Sequence, residues 1–375
     1  MASAARYYRP ELDVLRLVAF ALVFCSHRND LARVTPDYPL TAALCWIGVF
    51  GVPVFYLLSA FLITELLHRE LDAVGTVHVK AFYLRRILRI WPLYYAVFFA
   101  LVLLNLVLRR VGASTAGSIA AFSLFSGNWY VCRFGWLAYP VNPLWSISVE
   151  EQFYFAIPLL TCFFRARGLR ITCWALLAVA YGFIAYYAVA HVPGHTQWTN
   201  SFVQFQFFAA GSLLSLHLHG RMPRLHWALR WLAAALALGG YYLANRGLGV
   251  DADRPHASLA GALVGWSIVL FSTILLFFSL YGITDRFLPR VLVYLGRISF
   301  GLYMVHAFFL YACFVLLRKP LTAWSVALHL ENWRNALGTV LVLLCTVGMA
   351  MLSYHFYEKP FLRLKTRFTF VPSRD

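Results

Sequence analysis

Stretches of about 20 mainly apolar residues recur along almost the whole chain, each long enough to cross a hydrocarbon core about 30 Å thick as a helix. In lipid the backbone has no water to bond, so a chain built this way must satisfy its N–H and C=O groups within helices. The residue balance agrees. Hydrophobic residues make up 61% and charged residues 13% of the chain, against about 45–50% and about 25% in soluble domains. The spans are expected at 12–28, 43–68, 91–109, 144–164, 171–191, 199–219, 226–246, 258–281, 297–317 and 334–357. Two semi-apolar segments, 77–90 and 116–131, are expected to lie along the membrane surface. No stretch remains for a separate soluble domain. Residues 1–375 therefore read as one all-α, polytopic membrane bundle of about ten transmembrane helices.

The net charge of +17 does not point to nucleic acid, because basic loops between apolar spans have a simpler cause in the retention of Lys and Arg on the cytoplasmic side. With the N-terminus inside, the inner loops and termini hold roughly twice the basic residues of the outer loops. The C-terminal Lys359, Arg363, Lys365 and Arg367 then also fall inside, as an even number of spans requires. The first apolar stretch carries Asp13 and Arg16 and lacks a small-residue cleavage site, so it reads as a retained span rather than a signal peptide. The seven cysteines lie mostly within spans and show no metal-type spacing. The histidines form no ligand cluster, and no metal is expected. His306 and His355 lie within spans, where pore-lining roles compete with the more ordinary one of core histidines bonded to a carbonyl.

Charge within a span is costly, so each such residue is a functional candidate. The first span holds Arg16 and His27, eleven residues apart. That is close to three helical turns, which puts both on one face about 16 Å apart along the axis. Asp13, three residues before Arg16, can pair with it. A histidine snorkelling to the interface fits His27 equally well on this helix alone. Arg85, Arg86 and Arg89 share one face at the inner entrance to a span. Their planar donor forks suit phosphate, and an orientation signal or anionic-lipid contact also fits. Glu150 and Glu151 stand at the start of an apolar span, at the expected depth of His27. A carboxylate there would fix the histidine tautomer, whereas a structural reading has it bonded to a neighbouring helix. Ser146, Glu150 and Tyr154 share a face by their spacing of four.

The chain resembles the acyltransferase 3 family of integral membrane O-acyltransferases. The resemblance begins at Arg9-Pro10-Glu11-Leu12-Asp13-Val14-Leu15-Arg16 followed by His27, and continues through 54–63 and Arg85-Arg86-Ile87-Leu88-Arg89. Its most specific part is Trp145-Ser146-Ile147-Ser148-Val149-Glu150-Glu151-Gln152-Phe153-Tyr154. Arg297-Ile298-Ser299-Phe300-Gly301-Leu302-Tyr303 and Tyr357-Glu358-Lys359-Pro360-Phe361 complete it. Ala60 stands where relatives usually carry glycine, and Pro143-Leu144 where a histidine is common before Trp145.

The resemblance implies an acyltransferase with acyl-coenzyme A as donor, acetyl being the first candidate, and a carbohydrate or glycoconjugate hydroxyl as acceptor. It implies polysaccharide-type O-acetylation at the bacterial cytoplasmic (inner) membrane, with the bilayer as a partner and no nucleic acid. Read residue by residue, His27 is the expected general base, with Glu150 or Glu151 orienting it. Arg85, Arg86 and Arg89 are expected on the donor phosphates. Arg16, Ser59, Trp145, Ser146 and Tyr154 are expected along the substrate path. Direct transfer is preferred over an acyl-enzyme on Ser59. The rival class is a transporter of a small molecule or lipid-linked sugar, since intramembrane Arg, Glu and His also mark transport pathways. No internal sequence repeat supports it.

Overall fold

The computed structural model describes residues 7–32, 39–108, 115–256 and 258–370, and among these there is helix but no strand. The helices are α1 (Pro10–Ala32), α2 (Pro39–Gly48), α3 (Gly51–Val74), α4 (Val79–Leu108), α5 (Ala116–Ser123), α6 (Gly127–Phe134), α7 (Trp145–Val189) and α8 (Gly194–Thr199). They continue as α9 (Ser201–Leu218), α10 (Trp227–Tyr242), α11 (Leu259–Leu280), α12 (Arg290–Arg297), α13 (Ser299–Tyr311), α14 (Arg318–Ala327), α15 (Arg334–Leu352) and α16 (Lys359–Thr366).

Among the described residues, six segments are long and apolar enough to cross a bilayer: Gly51–Val74, Val79–Val107, Asn142–Val189, Leu259–Leu280, Ser299–Leu316 and Glu331–Thr366. The chain is an integral, multi-pass membrane protein. The difference from ten has local causes. The expected spans 144–164 and 171–191 lie on either side of a break in α7 at Arg165 (φ 48°, ψ −162°), so this one apolar segment holds two helices in series. The expected span 43–68 is divided between α2 and α3. Helix α1 carries Glu11, Asp13, Arg16 and Arg28, while α9 and α10 have only 18 and 16 residues. Residue 109, the expected end of the third span, lies outside the described residues. Segment 77–90 is no separate surface element, because its residues from Val79 onward form the first half of α4. Segment 116–131 becomes two short helices, the first of which receives the hydroxyls of Tyr94 and Tyr95 on the carbonyls of Phe122 (2.7 Å) and Ser123 (2.8 Å).

Lipid tails are as apolar as leucine, so helices within a membrane hold together by close packing and polar contacts rather than by hydrophobic burial. Both are visible here. Helix α3 packs on α9, and α9 on α7. Gly211 of α9 lies so close to the Leu57 carbonyl of α3 that any Cβ would overlap it. One turn along, the Thr64 hydroxyl donates to Ser212 at 3.0 Å. Helix α1 is held among α2, α3, α12 and α13, and Gly296 at the end of α12 sits against the Asp13 carbonyl, where again a Cβ cannot fit. The helix carrying Arg16 and His27 is thus fixed in rotation and depth.

Candidate functional site

A cavity of about 150 Å³ opens among α1, α3, α4, α7, the start of α13 and α16. Arg16, Ser59, Arg86, Arg89, Ser146, Glu150 and Tyr154 all line it, so seven of the residues singled out in the sequence converge from four helices. Arg16 donates to Asp13 Oδ1 at 2.7 Å, and the Tyr8 hydroxyl donates to Asp13 Oδ2 at 3.0 Å. Arg86 lies over the rings of Phe82 (5.6 Å) and Tyr154 (5.4 Å). Its buried Nε has no hydrogen-bond partner among the described residues. Two smaller cavities adjoin, and all three are lined by Arg89 and by Lys365 of α16. The arrangement concentrates guanidinium and ammonium groups around one cavity, and the unpartnered Nε of Arg86 leaves a donor there for an anion.

Arg85 is placed differently from its two neighbours. It is tied to Glu70 Oε2 at 2.9 Å and to the Phe368 carbonyl at 2.7 Å, and it borders only the small cavity beside Glu70. The salt bridge and the carbonyl together anchor the C-terminal segment to α3 and α4. In the same corner the rings of His78 and Phe370 stack at 4.0 Å.

The two glutamates diverge, as adjacent helical positions must. Glu150 faces the cavity and accepts from the Tyr154 hydroxyl, which is also bonded to Ser59 Oγ at 2.5 Å. Glu151 turns away and accepts from Trp91 Nε1 at 3.0 Å. Neither is bonded to His27. Trp145 is buried beside Trp136, with ring centroids 6.5 Å apart.

The group bonded to His27 is a second histidine. His27 Nδ1 lies 2.9 Å from His306 Nε2, and His306 Nδ1 lies 2.6 Å from the Tyr303 carbonyl. A carbonyl only accepts, so His306 Nδ1 carries a proton. In neutral imidazole its Nε2 is then an acceptor, and His27 Nδ1–H must be the donor. The consequence is specific: His27 Nε2 is left with its lone pair free. Tyr139 presents its ring edge-on to His27, centroids 5.8 Å apart.

His27 does not line the cationic cavity, whereas Ser146 and Tyr303 do. These two hydroxyls are bonded to each other at 2.6 Å, and the Tyr303 hydroxyl also reaches the Pro143 carbonyl at 3.0 Å. The residue that anchors His306 through its backbone therefore lines the cavity with its side chain.

Three contributors escaped the sequence reading. His306 looked like a core histidine bonded to a carbonyl, which it is, but its other nitrogen meets a residue 279 positions away. Tyr303 stood in a quoted motif without a role. Lys365 sat in a basic tail whose charge was read only as an orientation signal.

A family model described as an acyltransferase domain matches residues 9–355. A Staphylococcus aureus protein bearing an O-acetyltransferase name is 22% identical over 97% of this chain and 60% of its own length. The peptidoglycan O-acetyltransferase of Listeria monocytogenes is 28% identical over 41% of this chain and 24% of its own. Nodulation protein 10 of Rhizobium leguminosarum is 25% identical over 96% of this chain and 95% of its own. The chain thus spans under two thirds of the length of the O-acetyltransferase relatives. No solved structure matches it. With the family model covering nearly the whole chain and the motif residues gathered around one cavity, the protein belongs to the acyltransferase 3 family.

Proposed function

We propose that this protein transfers an acyl group, acetyl first among candidates, from cytoplasmic acyl-coenzyme A to a hydroxyl of a carbohydrate-containing acceptor. Both termini lie on the cytoplasmic side in this reading, in a bacterial inner membrane, and the acceptor class rests on analogy with the peptidoglycan-modifying relative. The observation that carries the proposal is the hydrogen-bond chain from the Tyr303 carbonyl through His306 to His27. It holds a neutral imidazole with one nitrogen directed to proton abstraction, as general-base catalysis needs.

Arg86 and Arg89, with Lys365 and Arg16 around them, would hold the donor phosphates. The pantetheine arm would run along the cavity past Ser59 and Tyr154. At its end the Ser146–Tyr303 contact must open for the thioester to meet His27. The acceptor O–H then loses its proton to His27 Nε2 as its oxygen attacks the thioester carbonyl. The tetrahedral adduct collapses, the C–S bond breaks, and the departing coenzyme A thiolate takes the proton from the imidazolium. The Tyr303 and Ser146 hydroxyls are the nearest donors to the carbonyl oxygen as negative charge develops on it. Direct transfer needs no acyl-enzyme.

Purified protein in detergent, given acetyl-coenzyme A and a panel of glycans, should release free thiol only when an acceptor is present. His27→Ala should abolish that release while donor binding persists. Activity seen only in sealed vesicles, with no thiol release, would replace this reading with transport.

A further inference from the structure

A further cavity lies apart from the site above. It measures about 280 Å³ and lies among the end of α13, α14 and α15. Its long wall is the stripe Leu337, Leu341 and Leu344 on α15, which with Arg334 at the head of that helix runs about 15 Å along the axis. At one end Arg334 and Arg318 line it together. Arg334 donates to the Thr322 hydroxyl at 3.3 Å, and that hydroxyl donates to the Arg318 carbonyl at 2.8 Å. This couples the two cationic residues into one corner. No acidic side chain lines the cavity, and Glu331, the acidic residue closest in sequence to Arg334, is exposed and outside it.

Helices α13 and α15 touch closely at Gly338, where an added Cβ would come within 3.2 Å of the Phe314 ring. The slot is lined on either side of that contact by Cys313, Phe314, Leu337 and Leu341. Leu337, Val340, Leu341 and Leu344 are exposed, so the slot faces the hydrocarbon rather than the bundle interior. A guanidinium there has one neutral hydroxyl as its protein partner and further donors unspent, which is expensive in a membrane unless an anion completes it. A free anion would leave the apolar length of the slot unfilled. Two cations at one end and roughly 10 Å of leucine wall match one molecule, an amphiphile with an anionic phosphate head and a hydrocarbon chain.

We propose that the slot between α13, α14 and α15 binds a phospholipid of net negative charge, its phosphate head on Arg318 and Arg334 and its chain along Leu337, Leu341 and Leu344. The site adjoins the histidine end of α1, because Arg28 donates to Thr339, the residue after Gly338, at 3.1 Å. A bound lipid head therefore lies on the far side of the helix that braces the residue next to His27. Binding does not depend on the acyl-transfer reading.

The test is native mass spectrometry of the full chain in a neutral detergent, titrated separately with dioleoyl phosphatidylglycerol, dioleoyl phosphatidylcholine and inorganic phosphate. The wild type should retain phosphatidylglycerol in preference to phosphatidylcholine and should not retain inorganic phosphate. Arg318→Gln combined with Arg334→Gln should weaken that retention about tenfold or more through loss of two charges. Leu341→Trp, which fills the slot and leaves the charges, should weaken it too. The thermal unfolding midpoint, measured on the same samples, should stay at the wild-type value and shows that the variants are folded. Equal retention of the two lipids, retention of inorganic phosphate, or unchanged phosphatidylglycerol binding in both variants would overturn the proposal.

Discussion

The two ends of the functional region differ in how they are assembled. At the cationic end, the key groups are neighbours in sequence: Arg86 and Arg89 lie one turn apart on α4, and Arg16 pairs with Asp13 three residues earlier on α1 at 2.7 Å. At the histidine end, His27 and His306 come from α1 and α13, 279 positions apart, and are matched to within 2.9 Å. Charge attraction is long-ranged and tolerant of geometry, so a cationic cluster works with flexible side chains brought together loosely. A tautomer relay is not tolerant. It requires one nitrogen against one nitrogen, and the close packing of α1 among α2, α3, α12 and α13 supplies that precision.

This contrast predicts effects of different kinds. The largest is at His27. Alanine there should lower acceptor-dependent thiol release by about 10²–10⁴-fold, with donor affinity unchanged by calorimetry. A fall in donor affinity alone would mean that the two ends are not separate in function. Next, Arg86→Gln with Arg89→Gln should weaken acetyl-coenzyme A binding about a hundredfold, since hydrogen bonds to charged groups are each worth about 1.5–3 kcal/mol. Single turnover at saturating donor should change little. A lower single-turnover rate with normal binding would move these arginines from holding donor to taking part in the chemistry.

His306→Ala comes third. It leaves His27 Nδ1 and the Tyr303 carbonyl without their partner, a loss of about 1–3 kcal/mol, or roughly ten- to a hundredfold in rate. The pH profile of turnover should shift as well, because a purely structural histidine would alter stability and leave that profile in place. The smallest effect is expected at Arg85. Its bonds to Glu70 and the Phe368 carbonyl already occupy it, so Arg85→Gln should change donor affinity only a few-fold, by about 1 kcal/mol or less. Its main readout is faster proteolysis of the C-terminal segment. An effect as large as that of Arg86 would return Arg85 to the phosphate site.

Much of the cavity was legible in the sequence because helical spacing acts over short distances. Ser146, Glu150 and Tyr154 were assigned one face, and all three line the cavity. The spacing of Arg16 and Asp13 announced their ion pair. What spacing could not say was which of two adjacent glutamates faces inward, since that depends on the rotation of α7 against α3 and α9. Glu150 faces the cavity and Glu151 bonds to Trp91, and the partner of His27 proved to be a residue from another helix altogether. The span count was limited by the same locality. Apolar length placed a break between 164 and 171, where Arg165 leaves helical geometry, but it does not reveal that 43–68 is divided between α2 and α3.

The sequence by itself determined that this is an α-helical membrane protein with costly polar residues in its spans, and it identified the family through residues ordered from Arg9 to Phe361. Hydrophobic length and helical period suffice for the first, because each is a property of a single segment, and the family followed from the resemblance of the motifs. Only the tertiary structure decided that His306 fixes the His27 tautomer, that Tyr303 both anchors His306 and lines the cavity, and that Lys365 joins the arginines. These depend on the depth and rotation of one helix against another. In a membrane that is set by close backbone contacts at small residues such as Gly211 and Gly296, and no local pattern in the sequence encodes which surfaces will meet.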